Sequence, residues 1–305
     1  MPRTQWREWL RPRRLLRRLR TRLFPPPYGV PPPLVVNGFP KGGTHLLVRC
    51  VTVLGGQQRF DFFLYRKMER QLGLAPVSEG GDGIPLGIGE PTLVAAEEVE
   101  RRLGSLVRGE FAAGHIPYSE ALARVLERHG LRMLLILRDP RDVCVSLVHH
   151  IKSRPENRLH DYFTRTLKSD EERLLATIVG VEAAKTRDGV RLGDIGERLD
   201  SATPWMKLPF CSATRFERLV GPEGGGSAEA QQAEIRRIAG HLGLSLSVQQ
   251  IESVAGKLFG QGSVTFRRGE IGGWRESFTA EHKAAFKRVA GKQLAALGYE
   301  GDLSW

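Results

Sequence analysis

The sequence predicts an α/β domain with a central parallel sheet flanked by helices. Three observations point there. Leu34–Gly38 is an apolar, β-prone run that breaks at glycines and continues into an apolar stretch long enough for a helix. Leu131–Leu137 is the clearest buried strand in the chain, and it too runs into a helix. Strand and helix patterns alternate between and after these two segments, and alternation of that kind implies parallel pairing with helices on the sheet faces.

Length and composition suit such a domain. The chain has 305 residues, enough for one large α/β domain or two small ones, and its 41% hydrophobic content supports a proper core. The formal net charge is +12, with a sequence pI near 10.0. The excess is uneven. Residues 1–24 hold nine arginines against Glu8 alone, a local +8, so the remainder carries only +4. Basicity belongs mainly to this tail and does not mark the domain as a binder of nucleic acid. The expected organisation is a basic, proline-rich tail over 1–33 and one domain over 34–305, with Pro25–Pro27 and Pro31–Pro33 as a stiff connector.

Within the tail, Leu15, Leu16, Leu19 and Leu23 share a narrow arc at helical spacing. Residues 6–23 could therefore contact an anionic membrane surface, with Trp6 and Trp9 as interfacial anchors. A disordered basic arm has the same composition, and it is the favoured reading. No apolar run reaches 18 residues, which argues against a membrane span. The N-terminus lacks the apolar core of a secretory signal. Cys50, Cys144 and Cys211 are odd in number and far apart, so reduced, packed thiols are expected. Together these features point to a cytoplasmic location. No Cys/His cluster has ligand spacing, and no metal is expected.

Residues 75–92 are rich in Gly and Pro and read as a long loop. Residues 93–106 look helical. Glu110–Pro117 reads as a short strand ending in a turn, and Ser119–Arg128 as a helix. Residues 229–256 read as paired helices around Leu242-Gly243-Leu244. A final helix spans 280–297, with Thr279 of N-cap type.

Ligands of parallel sheets bind beyond the C-terminal ends of the strands. Lys41, His115 and Arg138 each fall just past a predicted strand, on one rim. Around Lys41 the chain reads Gly38-Phe39-Pro40-Lys41-Gly42-Gly43-Thr44-His45. A strand, a glycine-bearing turn and a helix N-terminus form an anion cradle of backbone amides. Lys41 adds charge, and Thr44 and His45 add donors. A Walker A loop places its lysine after the glycines, at the helix start; here Lys41 precedes them.

The order Pro-Lys-x-Gly-Thr after a strand resembles the 5′-phosphosulfate loop of sulfotransferases that use 3′-phosphoadenosine-5′-phosphosulfate (PAPS). A second segment, Arg138-Asp139-Pro140-Arg141-Asp142-Val143-Cys144-Val145-Ser146, resembles that family's 3′-phosphate segment, with Arg138 and Ser146 eight apart. The residues support the likeness. Asp139 can cap and Pro140 can open a helix, and Arg138 offers a planar fork for phosphate. A third segment, Phe266-Arg267-Arg268-Gly269-Glu270-Ile271-Gly272-Gly273-Trp274-Arg275, resembles the family's C-terminal motif. It departs at Arg268, where the family has lysine, and at Gly273, where the family has aspartate.

The resemblance implies a P-loop-like three-layer fold and PAPS as sulfuryl donor. It also implies a small-molecule, carbohydrate or lipid-linked acceptor. Carried over residue by residue, it implies donor contacts at Lys41, Gly42, Gly43, Thr44, His45, Arg138, Ser146, Arg267, Arg268 and Gly269. Thr214–Leu219 resembles the segment near the adenine, where Phe216 would stack. Gly114-His115-Ile116-Pro117 resembles the segment bearing the family's catalytic histidine, so His115 is the expected base and Lys41 the charge that steadies the leaving oxygen. Ala113 stands where some relatives carry a lysine. Glu110 is a weaker candidate base. His149 and His150 read as packing residues. The rival functions are a P-loop-type kinase, which would need a Gly-Lys-Ser/Thr order and a Mg²⁺ carboxylate, and a non-catalytic adaptor working through the tail.

Overall fold

The computed structural model describes residues 27–62, 83–89, 91–187, 189–258 and 271–305. Its centre is a five-stranded, all-parallel sheet in the order β2-β5-β1-β6-β7. The strands are β1 (Leu34–Gly38), β2 (Gln57–Phe62), β5 (Glu110–Gly114), β6 (Arg132–Leu137) and β7 (Cys211–Arg215). A separate antiparallel pair joins β3 (Gly83–Leu86) to β4 (Thr92–Ala95).

Side chains of the central strands alternate between two cores, as a period of two requires. Val35, Ala112, Met133 and Leu135 enter one core. Leu34, Val36, Phe111, Ala113, Leu134 and Ile136 enter the other. The second core is closed by α1 (Thr44–Val53), α7 (Phe216–Leu219), α8 (Ala228–His241) and α9 (Val248–Leu258). The first is closed by α2 (Ala96–Leu103), α3 (Glu120–Arg128), α4 (Pro140–Lys152), α5 (Asp170–Val179), α6 (Ile195–Ala202), α10 (Trp274–Ser277) and α11 (Ala280–Ala296). Helices, sheet and helices make the three expected layers. No helix among the described residues is long and apolar enough to cross a membrane.

Caps fall where side-chain chemistry favours them. Ser119 accepts from the Leu122 amide at the start of α3, and Asp139 from the Arg141 amide at the start of α4, with Pro140 in the first turn. Thr279 caps α11.

Three readings of the sequence need correction. Part of the supposed loop over 75–92 is β3, and its partner β4 takes the first residues of the supposed helix at 93–106. Ile84, Leu86 and Val94 are buried, and two four-residue strands carry too little alternation to stand out. The edge strands β2 and β7 also escaped the sequence pattern. Before the domain proper, the connector is packed against it: Tyr28 is buried in the second core, and the Pro31 carbonyl accepts from the Gly109 amide at 2.7 Å.

Candidate functional site

The register sets the rim. Asn37 of β1 pairs with Gly114 of β5, and Gly38 pairs with Ile136 of β6. Leu137 of β6 pairs with Arg215 of β7. The next residues along each chain segment, Phe39, His115, Arg138 and Phe216, therefore leave the sheet side by side. Neighbouring strands lie about 4.8 Å apart, so the segments after β5, β1 and β6 span roughly 10 Å.

The β1–α1 connection begins with a tight turn. The Gly42 amide donates to the Phe39 carbonyl at 2.8 Å, closing a turn with Pro40 and Lys41 at its centre. Lys41 has φ 65°, and among the described residues it is the only non-glycine with positive φ. Pro40 locks a negative φ before it, so the turn is type II, whose third position normally calls for glycine. Gly43 comes next at φ 96° and precedes α1, whose start has no side-chain cap. A Cβ on Gly43 would sit 2.6 Å from the Phe216 ring, and one on Gly38 would sit 1.9 Å from Thr44 Oγ1. The loop is thus packed too closely for side chains at these glycines. Buried Thr44 Oγ1 has no hydrogen-bond partner among the described residues. The first amides of a helix have no acceptor a full turn earlier, although that of Leu46 turns back to the Gly43 carbonyl at 2.9 Å. A dipole end, a glycine-walled turn, a buried hydroxyl and a lysine together suit an oxyanion.

Lys41 is half-buried. Burial, then the charges of Arg154 and Arg138, holds its ammonium below the usual lysine range. Its Nζ lies 3.5 Å from Nδ1 of His150 on α4. Burial, then Lys41 and Arg154, pushes His150 down to about 4, so the ring is neutral near pH 7 and its Nδ1 can accept from the ammonium. An arriving anion would oppose these effects, because it would pair with an ammonium that burial and two neighbouring cations now disfavour.

Arg138 leaves β6 next to α4. Its guanidinium stacks over Phe216 with 4.7 Å to the ring centroid, and one nitrogen lies 3.7 Å from Asp142. Phe216 is buried, with Gly43 against its edge and Arg138 over its face. The ring is a spacer that fixes Arg138 relative to the loop, which leaves little of it for stacking on adenine. Ser146 sits half-buried two turns into α4, one turn before His150. His45 is exposed in the first turn of α1. Arg267, Arg268 and Gly269 lie outside the described residues.

The segment after them is anchored by α4. Asp142 accepts from the Gly272 amide at 2.8 Å and the Trp274 amide at 2.9 Å. The carboxylate at the start of α10 thus comes from α4, and a Cβ on Gly273 would lie 4.0 Å from it. An aspartate at 273 would crowd a second carboxylate against the first. Beneath, the buried Arg141 guanidinium lies 3.8 Å from the Trp274 ring centroid and 4.5 Å from that of Trp305, and is held by Asp139 and Glu300.

His115 comes directly after β5. Its Nδ1 lies 2.5 Å from the Gly38 carbonyl oxygen. A carbonyl only accepts, so Nδ1 carries the proton and the lone pair of the neutral ring falls on Nε2. Glu110 is displaced from this chemistry. It opens β5 at the opposite end of the sheet, accepts from the Val107 amide and lies 3.8 Å from Arg59. The sequence reading took His150 for a packing residue and missed Asn37. The first had a signal, since positions 146 and 150 share one helix face.

A family model of the sulfotransferase domain matches residues 31–184, just over half of the chain. A crystal structure of mouse sulfotransferase SULT7A1 complexed with PAP is 14% identical, with 87% of this chain and 86% of that chain covered and a TM-score of 0.54. Retinol dehydratase, in complex with androsterone and inactive cofactor PAP, is 18% identical, with coverage of 86% and 80% and a TM-score of 0.52. A second structure of that protein, with retinol and PAP, is also 18% identical, covering 87% and 81% at a TM-score of 0.52. A search of curated protein sequences gave no match. At these identities the structural likeness is one of fold.

Proposed function

The chain belongs to the sulfotransferase domain family, and from that membership we propose that it transfers a sulfuryl group from PAPS to a hydroxyl or amine acceptor, with His115 as general base. The observation that carries this reading is the adjacency of three segments at the C-terminal ends of β5, β1 and β6. They bring a histidine, a lysine-bearing anion cradle and a helix-opening arginine to one rim.

The residues present fit the donor. Gly42, Gly43 and the start of α1 offer close backbone approach for the 5′-phosphosulfate, and the orphaned Thr44 hydroxyl offers a donor. Arg138 and Ser146 would take the 3′-phosphate, with the stretch from Arg267 to Gly269 as a further cationic contribution. The structural neighbours were crystallised with PAP, the product such a donor would leave. Carbohydrate, phenol and lipid-linked acceptors all remain within this class.

In the reaction the acceptor oxygen forms a bond to sulfur while the bond from sulfur to the bridging phosphate oxygen breaks. Nε2 of His115 takes the acceptor's proton. Lys41 neutralises the charge that grows on the leaving oxygen, the role electrostatic clamps play in phosphoryl transfer. Desolvation strengthens that interaction, and the tautomer fixed by Gly38 keeps the base ready.

The test is an acceptor screen with labelled PAPS, scored by mass shift, followed by two variants. His115→Ala should fold, bind PAP as the wild type does, and lose about 10²–10⁴-fold in turnover. Lys41→Ala should lose both nucleotide affinity and turnover. PAP should bind at least about tenfold more tightly than 5′-AMP, since one charged hydrogen bond contributes about 1.5–3 kcal/mol. Equal affinity for the two nucleotides would remove the two-phosphate reading. Wild-type turnover in His115→Ala would remove the base.

A further inference from the structure

We propose that Asn37 is a positioning residue for the transfer: its buried carboxamide binds the backbone amide and carbonyl of Ile116, the residue after His115, to the end of β1, so that base and anion cradle move as one unit. The proposal rests on the reading of His115 as the base.

Asn37 is fully buried in the middle strand of the sheet, within Leu34-Val35-Val36-Asn37-Gly38. A polar side chain in such a strand is expensive unless its hydrogen bonds are made. Here they are made to one place. Nδ2 donates to the Ile116 carbonyl at 2.8 Å, and Oδ1 accepts from the Ile116 amide at 2.9 Å and the Gly38 amide at 3.0 Å. The carboxamide thus behaves as an extra peptide group. It adds one rung to the β1–β5 ladder just beyond its last backbone pair, Asn37 with Gly114. Gly38, the next residue, accepts from His115 Nδ1. Two consecutive residues of β1 therefore grip two consecutive residues after β5, and the same Gly38 packs against Thr44 of the cradle.

This arrangement fixes what a base needs. The Gly38 contact selects the tautomer, and the Asn37 clamp sets the height of the His115 backbone relative to Lys41. Asn37 is fully buried, so its part is to position rather than to contact a substrate. Its loss need not open the core. Trp205 Nε1 also donates to the Ile116 carbonyl, at 3.1 Å, and the backbone ladder through Asn37 remains.

The experiment uses the full chain with Asn37→Ala, Asn37→Ser and Asn37→Asp. Three quantities are read: PAP affinity by calorimetry, steady-state constants for PAPS with an acceptor from the screen, and the His115 ring nitrogens by ¹⁵N NMR. Asn37→Asp keeps the accepting oxygen but sets a second oxygen against the Ile116 carbonyl in a fully buried site. Misplacing a catalytic group by about 1 Å can cost roughly 10²-fold. We expect kcat to fall about 10–100-fold in Asn37→Ala, with PAP affinity within about threefold of wild type. We also expect the single Nδ1–H tautomer of His115 to give way to a mixture. Unchanged ring signals with unchanged kcat in Asn37→Ala would overturn the proposal. Wild-type turnover in His115→Ala would instead overturn the base, and the two failures are read on different proteins. Should Asn37→Ala not fold, Asn37→Ser, which breaks the same contacts with a smaller cavity, is read in its place, and unchanged kcat with unchanged ring signals there overturns the proposal. A wild-type His115 protonated on Nε2 overturns it as well, because the Gly38 contact that the clamp is said to hold would then be absent.

Discussion

Gly38→Ala probes how tightly the cradle is built. Gly38 ends β1 and has no need of a left-handed backbone, so alanine meets only a steric obstacle. Its Cβ would stand 1.9 Å from Thr44 Oγ1, 2.7 Å from Thr44 Cβ and 2.8 Å from Thr44 Cγ2. One rotation of Thr44 cannot clear all three, because its Cβ belongs to the first residue of α1. The helix start must move. Overpacking of this kind costs about 1–3 kcal/mol, which for a chain of this size corresponds to a loss of roughly 1.5–5 °C in Tm. Displacing Thr44 also removes a donor from the site, and one charged hydrogen bond is equivalent to about 10–150-fold in PAP affinity. A double-mutant cycle isolates the contact. Thr44→Ala removes Oγ1 and Cγ2, so Gly38→Ala should be milder in that background by about 1 kcal/mol or more. Calorimetry of the four proteins, with and without PAP, measures both effects. Additive costs, or a Gly38→Ala protein as stable as wild type, would refute the packing argument.

Three further outcomes are expected. His150 is neutral in the fold down to about pH 4 because burial, Lys41 and Arg154 oppose its charge, whereas the unfolded ring titrates near 6.5; its contribution to stability is complete above pH 6.5 and is lost as pH falls towards 4, and His150→Gln should flatten that part of an acid-unfolding curve. Glu110→Gln, at the far end of β5, should leave turnover unchanged, and a loss of the size expected for His115→Ala would reinstate Glu110 as the base. Asp142→Ala should lower stability by about 2–4 kcal/mol by stranding the Gly272 and Trp274 amides, and Asp142→Asn by less, since it keeps an acceptor and removes a charge that burial already disfavours; equal denaturation midpoints for the two variants would contradict this.

How much the sequence disclosed depends on where each strand lies. β1, β5 and β6 are interior strands, covered on both faces, so their apolar runs stand out. The site is built on the residues just past those three strands, and for that reason Lys41, His115 and Arg138 were legible. β2 begins Gln57-Gln58-Arg59 and β7 reads Cys-Ser-Ala-Thr-Arg; both are edge strands, and polar composition hid them. Glu110, the weaker candidate base, lies only five residues from His115 in one dimension. The fold separates them because a strand has two ends, and a length of five residues puts them on opposite rims. Asn37 was invisible for another reason. A lone polar residue in an apolar run looks like a strand end, and only the pairing of β1 with β5 reveals what its carboxamide meets.

Lys41 shows where local preference yields to function. The turn from Phe39 to Gly42 needs positive φ at its third residue, and Lys41 sits there at 65°. The strain costs a residue with a Cβ about 1–2 kcal/mol. Lys41→Gly should relieve it, less the extra chain entropy of glycine in the unfolded state, about 0.5–1 kcal/mol. Lys41→Ala keeps a Cβ and keeps the strain. Both variants lose the ammonium, its contact with His150 and its repulsion from Arg154 and Arg138, so these effects cancel between them. Lys41→Gly should therefore be the more stable of the two by about 0.5–1 kcal/mol in urea denaturation, while both bind PAP equally poorly. A glycine variant no more stable than the alanine variant would mean that the turn is not strained at Lys41. The expected order would mean that the fold holds a lysine in a glycine's position, and that the charge at the cradle is retained against the preference of its own backbone.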